Sequence, residues 1–263
     1  MDMNKIFNED CLDTMKRVKD NTFDLTVTSP PYDGLRTYNG YSFDFENIAK
    51  ELYRTTKEGG VVVWIVGDKT IKGSESGTSF RQALFFKECG FNLHDTMIYQ
   101  VPGTGAKGSD YCYWQVFEYM FVFSKGRPTT VNRLKDKRNK RSGSSTNGKN
   151  TVGTRAHRGA GTVVGEYGYR DNVWKILPGN NGDDKTGHPA PFPEALARDH
   201  ILSWSNPGDT VMDCFLGSGT TGKMAVKHDR NFIGIEISKE YLSIAEKRIS
   251  EAQIQPSLFE ATT

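Results

Sequence analysis

Two short segments of this 263-residue sequence hold residues whose types and spacing suit chemistry. The first is Asp213-Cys214-Phe215-Leu216-Gly217-Ser218-Gly219-Thr220-Thr221-Gly222-Lys223. It joins a strand-like run to a helix-like one, which is where nucleotide-like ligands settle in α/β sheets. Three templates fit it. Gly217, Gly219 and Gly222 form G-x-G-x-x-G, with Glu236 nineteen residues after Gly217, the dinucleotide pattern. Gly217 to Lys223 form G-x-x-x-x-G-K, but Met224 follows and has no oxygen for Mg²⁺, which argues against a P-loop. The third template is an S-adenosylmethionine loop, with Asp213 at the strand end and Glu236 accepting from ribose hydroxyls. The loop alone does not separate the first template from the third. A glycine turn that merely lets strand and helix pack closely is the plain alternative.

The second segment is Val27-Thr28-Ser29-Pro30-Pro31-Tyr32. A strand ending in a polar residue, two prolines and an aromatic makes a rigid ledge at the carboxyl edge of a sheet. Ser29 Oγ and the carbonyl of Ser29 or Pro30 can accept the two N–H bonds of an amino group on a planar base. The prolines fix φ and preorganise those acceptors, and Tyr32 offers a ring for stacking. An exocyclic amine is a poor nucleophile because its lone pair is delocalised into the ring. Accepting its N–H bonds localises that pair, so a sulfonium methyl held in line can be transferred directly. The sequence has no Pro-Cys dipeptide, consistent with chemistry that needs no thiolate adduct on a ring carbon.

The elements that must position these segments alternate. Residues 11–19 read as a helix, 23–28 as a strand, 45–57 as a helix stopped by Gly59-Gly60, and 61–66 as a strand buried on both faces. A helix over 79–89 and strands over 92–100 and 116–123 follow. After a stretch rich in Gly, Ser, Thr and Asn (142–165), the pattern resumes. It runs as helix 193–203, strand 210–215, helix 220–228, strand 231–236 and helix 238–253, with Ser238 a plausible N-cap. This order predicts an α/β fold with a mostly parallel sheet and helices on both faces. The 142–165 stretch has no apolar period and is expected to be mobile without a ligand.

Composition narrows the function further. Apolar residues are 36% and charged residues 25%, enough apolar mass for a core. No apolar run approaches the ~18 residues of a membrane span, and Met1 to Ile6 carries no apolar signal region, so a cytoplasmic protein is expected. Cys11, Cys89, Cys112 and Cys214 are widely separated and read as free thiols, and the histidines show no metal spacing, so no metal site is expected. His94, His157, His200 and His228 read as structural or surface residues, and Trp174 as either core or pocket edge, with the pocket edge preferred. The net charge of +2 hides an asymmetry: residues 131–158 carry nine Lys/Arg and one Asp, a net of +8. Arg133, Lys135, Lys137, Arg138, Lys140 and Arg141 lie within nine residues, and Lys149, Arg155 and Arg158 follow. A basic stretch on an otherwise acidic body points to a polyanion at one place.

Taken together, the two segments resemble the amino-group DNA methyltransferases, which methylate cytosine N4 or adenine N6. Asp213 to Thr221 resembles their cofactor loop, which assigns Asp213, Phe215, Gly217, Gly219, Thr220 and Thr221 to S-adenosyl-L-methionine. Thr28 to Tyr32 resembles their catalytic motif, which assigns Ser29, Pro30, Pro31 and Tyr32. Asn8 to Leu12 resembles the N-terminal cofactor segment, placing Asp10 and Cys11 near the adenine. His188 to Pro193 resembles the segment lining the methionine end, which brings in His188 and Phe192. The motif order resembles the permuted β group, and for the family implies a seven-stranded Rossmann-like sheet with one antiparallel strand. On this resemblance residues 1–125 are the catalytic half of the core, 126–170 a basic target-recognition insert, 171–255 the cofactor half and 256–263 a tail. The basic residues Arg133, Lys135, Lys137, Arg138, Lys140, Arg141, Arg155 and Arg158 are then expected to meet double-stranded DNA, mostly at phosphates. The target base is expected to flip, with Arg36, Tyr38 and Tyr41 near it. Serine before Pro-Pro-Tyr resembles the cytosine-N4 signature, with adenine N6 the alternative. The resemblance leaves room for a homodimer and for a cognate restriction endonuclease. The rival readings are a nucleotide-dependent oxidoreductase, which leaves Ser29 to Tyr32 unexplained, and a DNA-gripping homologue without turnover.

Overall fold

The computed structural model describes residues 2–31, 43–101, 113–146, 162–177 and 193–254. The chain folds as two compact units, Met1–Asn132 with Asn172–Thr263, and Arg133–Asp171. In the first, strands β1 (Lys5–Phe7), β2 (Phe23–Thr28), β3 (Thr56–Val66), β4 (Asn92–Gln100), β5 (Phe117–Ser124), β6 (Val173–Lys175), β7 (Thr210–Asp213) and β8 (Asn231–Ile235) form one sheet. Its order is β1-β8-β7-β2-β3-β5-β4-β6. Only β5 runs antiparallel to its neighbours β3 and β4. The sheet therefore has eight strands rather than seven, with the single antiparallel strand as implied. Six helices accompany it: α1 (Cys11–Arg17), α2 (Phe45–Thr55), α3 (Thr78–Glu88), α4 (Glu194–Trp204), α5 (Thr220–Lys227) and α6 (Lys239–Ile254). No helix among the described residues is long and apolar enough to cross a membrane.

Val61 to Val66 is buried throughout, as a strand covered on both faces must be. Trp64 at its centre packs edge-on to Phe86 at 5.1 Å, and Phe86 stacks on Phe123 at 4.5 Å. The Trp64 indole N–H donates to Gln82 Oε1 at 2.9 Å, so this buried donor is satisfied.

One boundary differs from expectation. Helix α2 ends at Thr55, and Gly59-Gly60 lies inside β3 instead of stopping the helix. Pairing slips there, from Phe23 opposite Thr56 to Leu25 opposite Val61. The glycines serve this bulge: Gly59 has φ +77°, and a Cβ on it would lie 2.3 Å from Thr129 Cγ2. Trp174 is also not a pocket edge. It is buried on β6 and stacks on His200 at 4.5 Å, because β6 adds to the sheet beside β4 and turns that ring into the core.

Among its described residues, the second unit is built from backbone pairing rather than from an apolar core. Lys137–Arg138 pairs antiparallel with Tyr167–Gly168, and Ser145–Thr146 with Thr162–Val163. This compact unit begins at Arg133; Thr129 N–H donates to Gly59 O at 3.0 Å and Asn132 N–H to Ser203 O at 2.8 Å, tying those residues to the first unit. Residues 147–161, the middle of the stretch expected to be mobile, lie outside the described residues.

Candidate active site

Strands β7 and β2 are parallel neighbours, with Val211 opposite Leu25 and Met212 opposite Thr26. This register brings Asp213, the last residue of β7, beside the end of β2. Thr28 Oγ1 donates to Asp213 Oδ1 at 2.6 Å, and the Phe215 amide donates to the same oxygen at 3.0 Å. At the second residue of α5, Thr221 Oγ1 donates to Val27 O at 3.3 Å. Two threonines therefore stitch the glycine loop to the strand that delivers Ser29. Asp213 is 1% exposed, and its Oδ2 has no hydrogen-bond partner among the described residues. Burial pushes its carboxyl up to about 6. The hydrogen bonds from Thr28 and the Phe215 amide, and the nearby Thr221 hydroxyl, oppose that rise, and the charge of Glu236 adds to it.

Glu236 follows β8. Its Oε2 accepts from the Gly217 amide at 2.8 Å and its Oε1 from the Ser238 amide at 2.8 Å. Burial raises its pKa against these amide bonds. The backbone beside it is anchored to the end of β1: Glu236 N–H donates to Phe7 O at 3.0 Å, and Asn8 Nδ2 donates to Glu236 O at 2.8 Å. Asp10 caps α1, its Oδ1 accepting from the Leu12 amide at 2.7 Å. Cys11 and Cys214 are both buried in the main apolar cluster, and burial pushes the Cys214 thiol well up. Phe215 packs against the same cluster, with its ring 5.8 Å from Phe43.

The three glycines of the loop do different work. Gly217 has φ +54° and lends its amide to Glu236. Gly219 has φ +85°, and a Cβ there would lie 2.8 Å from Ala245 Cα. A Cβ on Gly222 would lie 2.6 Å from Ile249 Cδ1. Gly219 and Gly222 thus let α6 pack closely on the loop and α5, the plain structural alternative of the sequence reading, while Gly217 shapes the turn toward Glu236.

Arg248, on α6, is a site residue that the sequence reading missed. Its Nη1 donates to Ser218 O at 2.7 Å, Ser218 Oγ at 2.8 Å and Thr220 Oγ1 at 3.3 Å, and its Nη2 lies 3.1 Å from Glu194 Oε1. Lys223 Nζ reaches the same Glu194 oxygen at 2.5 Å. Burial favours the neutral form of Glu194, but Lys223, Arg248 and Lys227 outweigh it and hold the carboxyl below its usual range. The signal was available: Arg248 falls on the stripe of α6 that buries Ala245, Ile249 and Ala252.

Ser29 and Pro31 are half-buried and Pro30 is buried at the mouth of this arrangement. Tyr32, Arg36, Tyr38, Tyr41, Cys112, Lys149, Arg155, His157, Arg158, His188 and Phe192 lie outside the described residues. Asp68, at the same sheet edge beyond β3, is committed to folding, since its Oδ1 accepts from the Ser79 amide at 3.0 Å and from Ser76 Oγ at 3.0 Å. No group of three or more His, Cys, Asp or Glu among the described residues could hold a metal ion. In the second unit, Arg133, Lys135, Lys137, Arg138, Lys140 and Arg141 are all exposed.

Comparison with known proteins follows this geometry. Residues 23–247 match the family model described as DNA methylase, of N6/N4 methyltransferase type. The orphan methyltransferase M.BamHII of Bacillus amyloliquefaciens is 56% identical over 246 residues, covering 89% of this chain and 91% of that protein. Among solved structures, the cytosine-N4-specific PvuII DNA methyltransferase superposes with a TM-score of 0.70 at 20% identity, over 95% of this chain and 90% of the other. The M1.HpyAVI–SAM complex does so with 0.62 at 23% identity, over 93% and 98%. At these identities the solved structures speak for the fold alone.

Proposed function

Since this chain belongs to the DNA methylase family of N6/N4 type, and is therefore a DNA methyltransferase, we propose that it methylates the exocyclic amine of a flipped base, with cytosine N4 as the position and S-adenosyl-L-methionine as the donor. The observation that carries this reading is the Thr28–Asp213 hydrogen bond of 2.6 Å. It joins the end of the strand that presents Ser29-Pro30-Pro31 to the acid that opens the glycine loop, so a base and a donor would meet at one sheet edge.

The residues present fit the donor. Asp213 keeps a buried carboxylate oxygen with no hydrogen-bond partner among the described residues, suited to a cationic ligand. Glu236 is fixed by two amides and retains lone pairs for a pair of hydroxyls. Asp10, pinned at the start of α1, has a second oxygen for an adenine amino group. When bound, S-adenosyl-L-methionine supplies an electrophilic sulfonium methyl.

The chain's own residues do the rest. Ser29 Oγ and the carbonyl of Ser29 or Pro30 accept the N–H bonds of the target amine and localise its lone pair. The prolines hold those acceptors in place without an entropic cost at the moment of reaction. Tyr32 stacks on the flipped ring. Exposed cations of the second unit, among them Arg138, Lys140 and Arg141, neutralise DNA phosphates.

The test is incubation with methyl-labelled S-adenosyl-L-methionine and mixed-sequence duplex DNA, digestion to nucleosides and mass spectrometry. N4-methylcytosine is expected. N6-methyladenine would keep the mechanism and overturn the choice of base, and no labelled nucleoside despite cofactor binding would overturn the catalytic reading.

A further inference from the structure

The cations of the second unit look alike in sequence, and the structure sorts them. Arg133 lies with its guanidinium carbon 3.8 Å from the centre of the Tyr169 ring. Lys137 Nζ reaches both oxygens of Asp171, at 2.8 and 2.6 Å. Arg170 makes a forked ion pair with Asp136, its Nε 3.1 Å from both oxygens. Each of these three cations ties the Arg133-to-Lys137 segment to the Tyr169-to-Asp171 segment, beside the Lys137–Arg138 and Tyr167–Gly168 pairing. Most of the positive field of Lys137 and Arg170 is spent on the neighbouring aspartates.

Beyond that pairing, the segment from Asn139 to Ser144 bulges from the ribbon and is held from within. Asn139 N–H donates to Glu166 O at 2.8 Å and Asn139 Nδ2 to Gly165 O at 2.8 Å. Gly143 N–H donates to Val164 O at 2.9 Å, Val164 N–H to Ser144 O at 2.9 Å, and Ser144 Oγ to Arg141 O at 2.7 Å. Gly168 makes room for this anchor, since a Cβ on it would lie 2.9 Å from Asn139 Oδ1. Arg138, Lys140 and Arg141 project from the bulge or its edge, exposed and without an ion pair among the described residues. Tyr167 faces Arg138 across the ladder and is 43% exposed. A preorganised backbone that presents three uncompensated cations, one of them opposite an exposed ring, suits a polyanion with stackable, partly apolar bases.

Resting on the DNA reading above and deepening it, we propose that the Arg138-to-Arg141 bulge and Tyr167 form the DNA-contacting surface of this unit. Arg138, Lys140 and Arg141 meet phosphates, Tyr167 packs against a base or sugar, and Arg133 and Lys137 hold the ribbon together instead of touching DNA. A two-stranded ribbon of this kind fits the ~12 Å width of the major groove.

The test is fluorescence anisotropy of the full-length protein on a labelled duplex over a series of KCl concentrations. Arg138→Ala, Lys140→Ala and Arg141→Ala should each weaken binding and reduce the slope of log affinity against log salt by about one. Lys137→Ala and Arg133→Ala should leave that slope where it is. Tyr167→Ala should raise Kd about tenfold at fixed salt with an unchanged slope, and Tyr167→Phe should restore it. Urea midpoints equal to that of the unsubstituted protein show that a change in binding is not a change in folding. An unchanged slope in the three bulge variants, or an equal loss in Lys137→Ala, overturns the assignment. Methylated nucleoside with a flat variant series sinks this inference alone. The ordered series with no methylated nucleoside sinks the catalytic reading alone.

Discussion

Asp213→Asn isolates the electrostatic cost of the loop acid. Asp213 is fully buried, and its pKa is raised from 3.8 to about 6, with burial the leading cause. Below pH 3.8 the carboxyl is protonated both folded and unfolded and contributes no pH dependence. Between 3.8 and about 6 the folded chain binds the proton that the unfolded chain has released, so stability falls as pH rises. Above about 6 the full cost is present. A shift of that size corresponds to about 3 kcal/mol. Asparagine keeps an oxygen for the Thr28 hydroxyl and the Phe215 amide and removes the charge. The stability of Asp213→Asn relative to the unsubstituted protein should therefore improve by about 2.5 kcal/mol between pH 4 and pH 8. Any pH-independent packing cost cancels from this difference. Urea denaturation of both proteins, without cofactor, measures it. At about 2–4 °C per kcal/mol, melting temperatures should show the same trend. A difference that is flat with pH, or that favours aspartate at pH 8, would show that this carboxyl is not in a low-dielectric site. The same variant is expected to bind cofactor more weakly, the usual trade of stability for function.

Three further outcomes are expected. Thr28→Val removes the hydroxyl from a buried carboxylate and should cost about 1.5–3 kcal/mol at pH 8 in urea denaturation; Thr28→Ser should recover most of it. Gly219→Ala places a Cβ 2.8 Å from the Ala245 backbone at φ +85°, so it should lower the unfolding free energy by about 1–3 kcal/mol, and an unchanged urea midpoint would contradict the packing. Tyr32→Ala should abolish methyl transfer while equilibrium dialysis shows cofactor affinity retained within a few fold, and unchanged turnover would remove Tyr32 from the mechanism.

The sequence made β2 legible to the residue because Ser29-Pro30-Pro31 cannot continue a strand and Phe23 to Thr28 is β-prone throughout. Asp213 and Glu236 were legible as a pair because their spacing is set by one strand–helix–strand unit. Gly59-Gly60 misled because glycine marks both a helix stop and a bulge, and only the slipped pairing of β2 with β3 decides between them. Arg248 was missed because its partners, Ser218, Thr220 and Glu194, lie 28 to 54 residues away. The internal order of the Arg133–Asp171 unit hid for the same reason. Its order comes from backbone pairing and from ion pairs such as Lys137–Asp171 and Arg170–Asp136, each spanning 34 residues, not from an apolar period. The basic run therefore read as uniform, although its members have different neighbours.

The β2–β7 seam has a consequence for biosynthesis. Its two strands lie at opposite ends of the chain, Phe23–Thr28 early and Thr210–Asp213 late. On the ribosome, Ser29 and its ledge emerge long before the acid and threonine that brace them. Until Asp213 and Thr221 arrive, Thr28 lacks its buried acceptor and β2 has an open hydrogen-bonding edge. A nascent or truncated chain ending before β7 therefore lacks the seam and carries an edge prone to association. The site comes into being only once β7 and the start of α5 have been made.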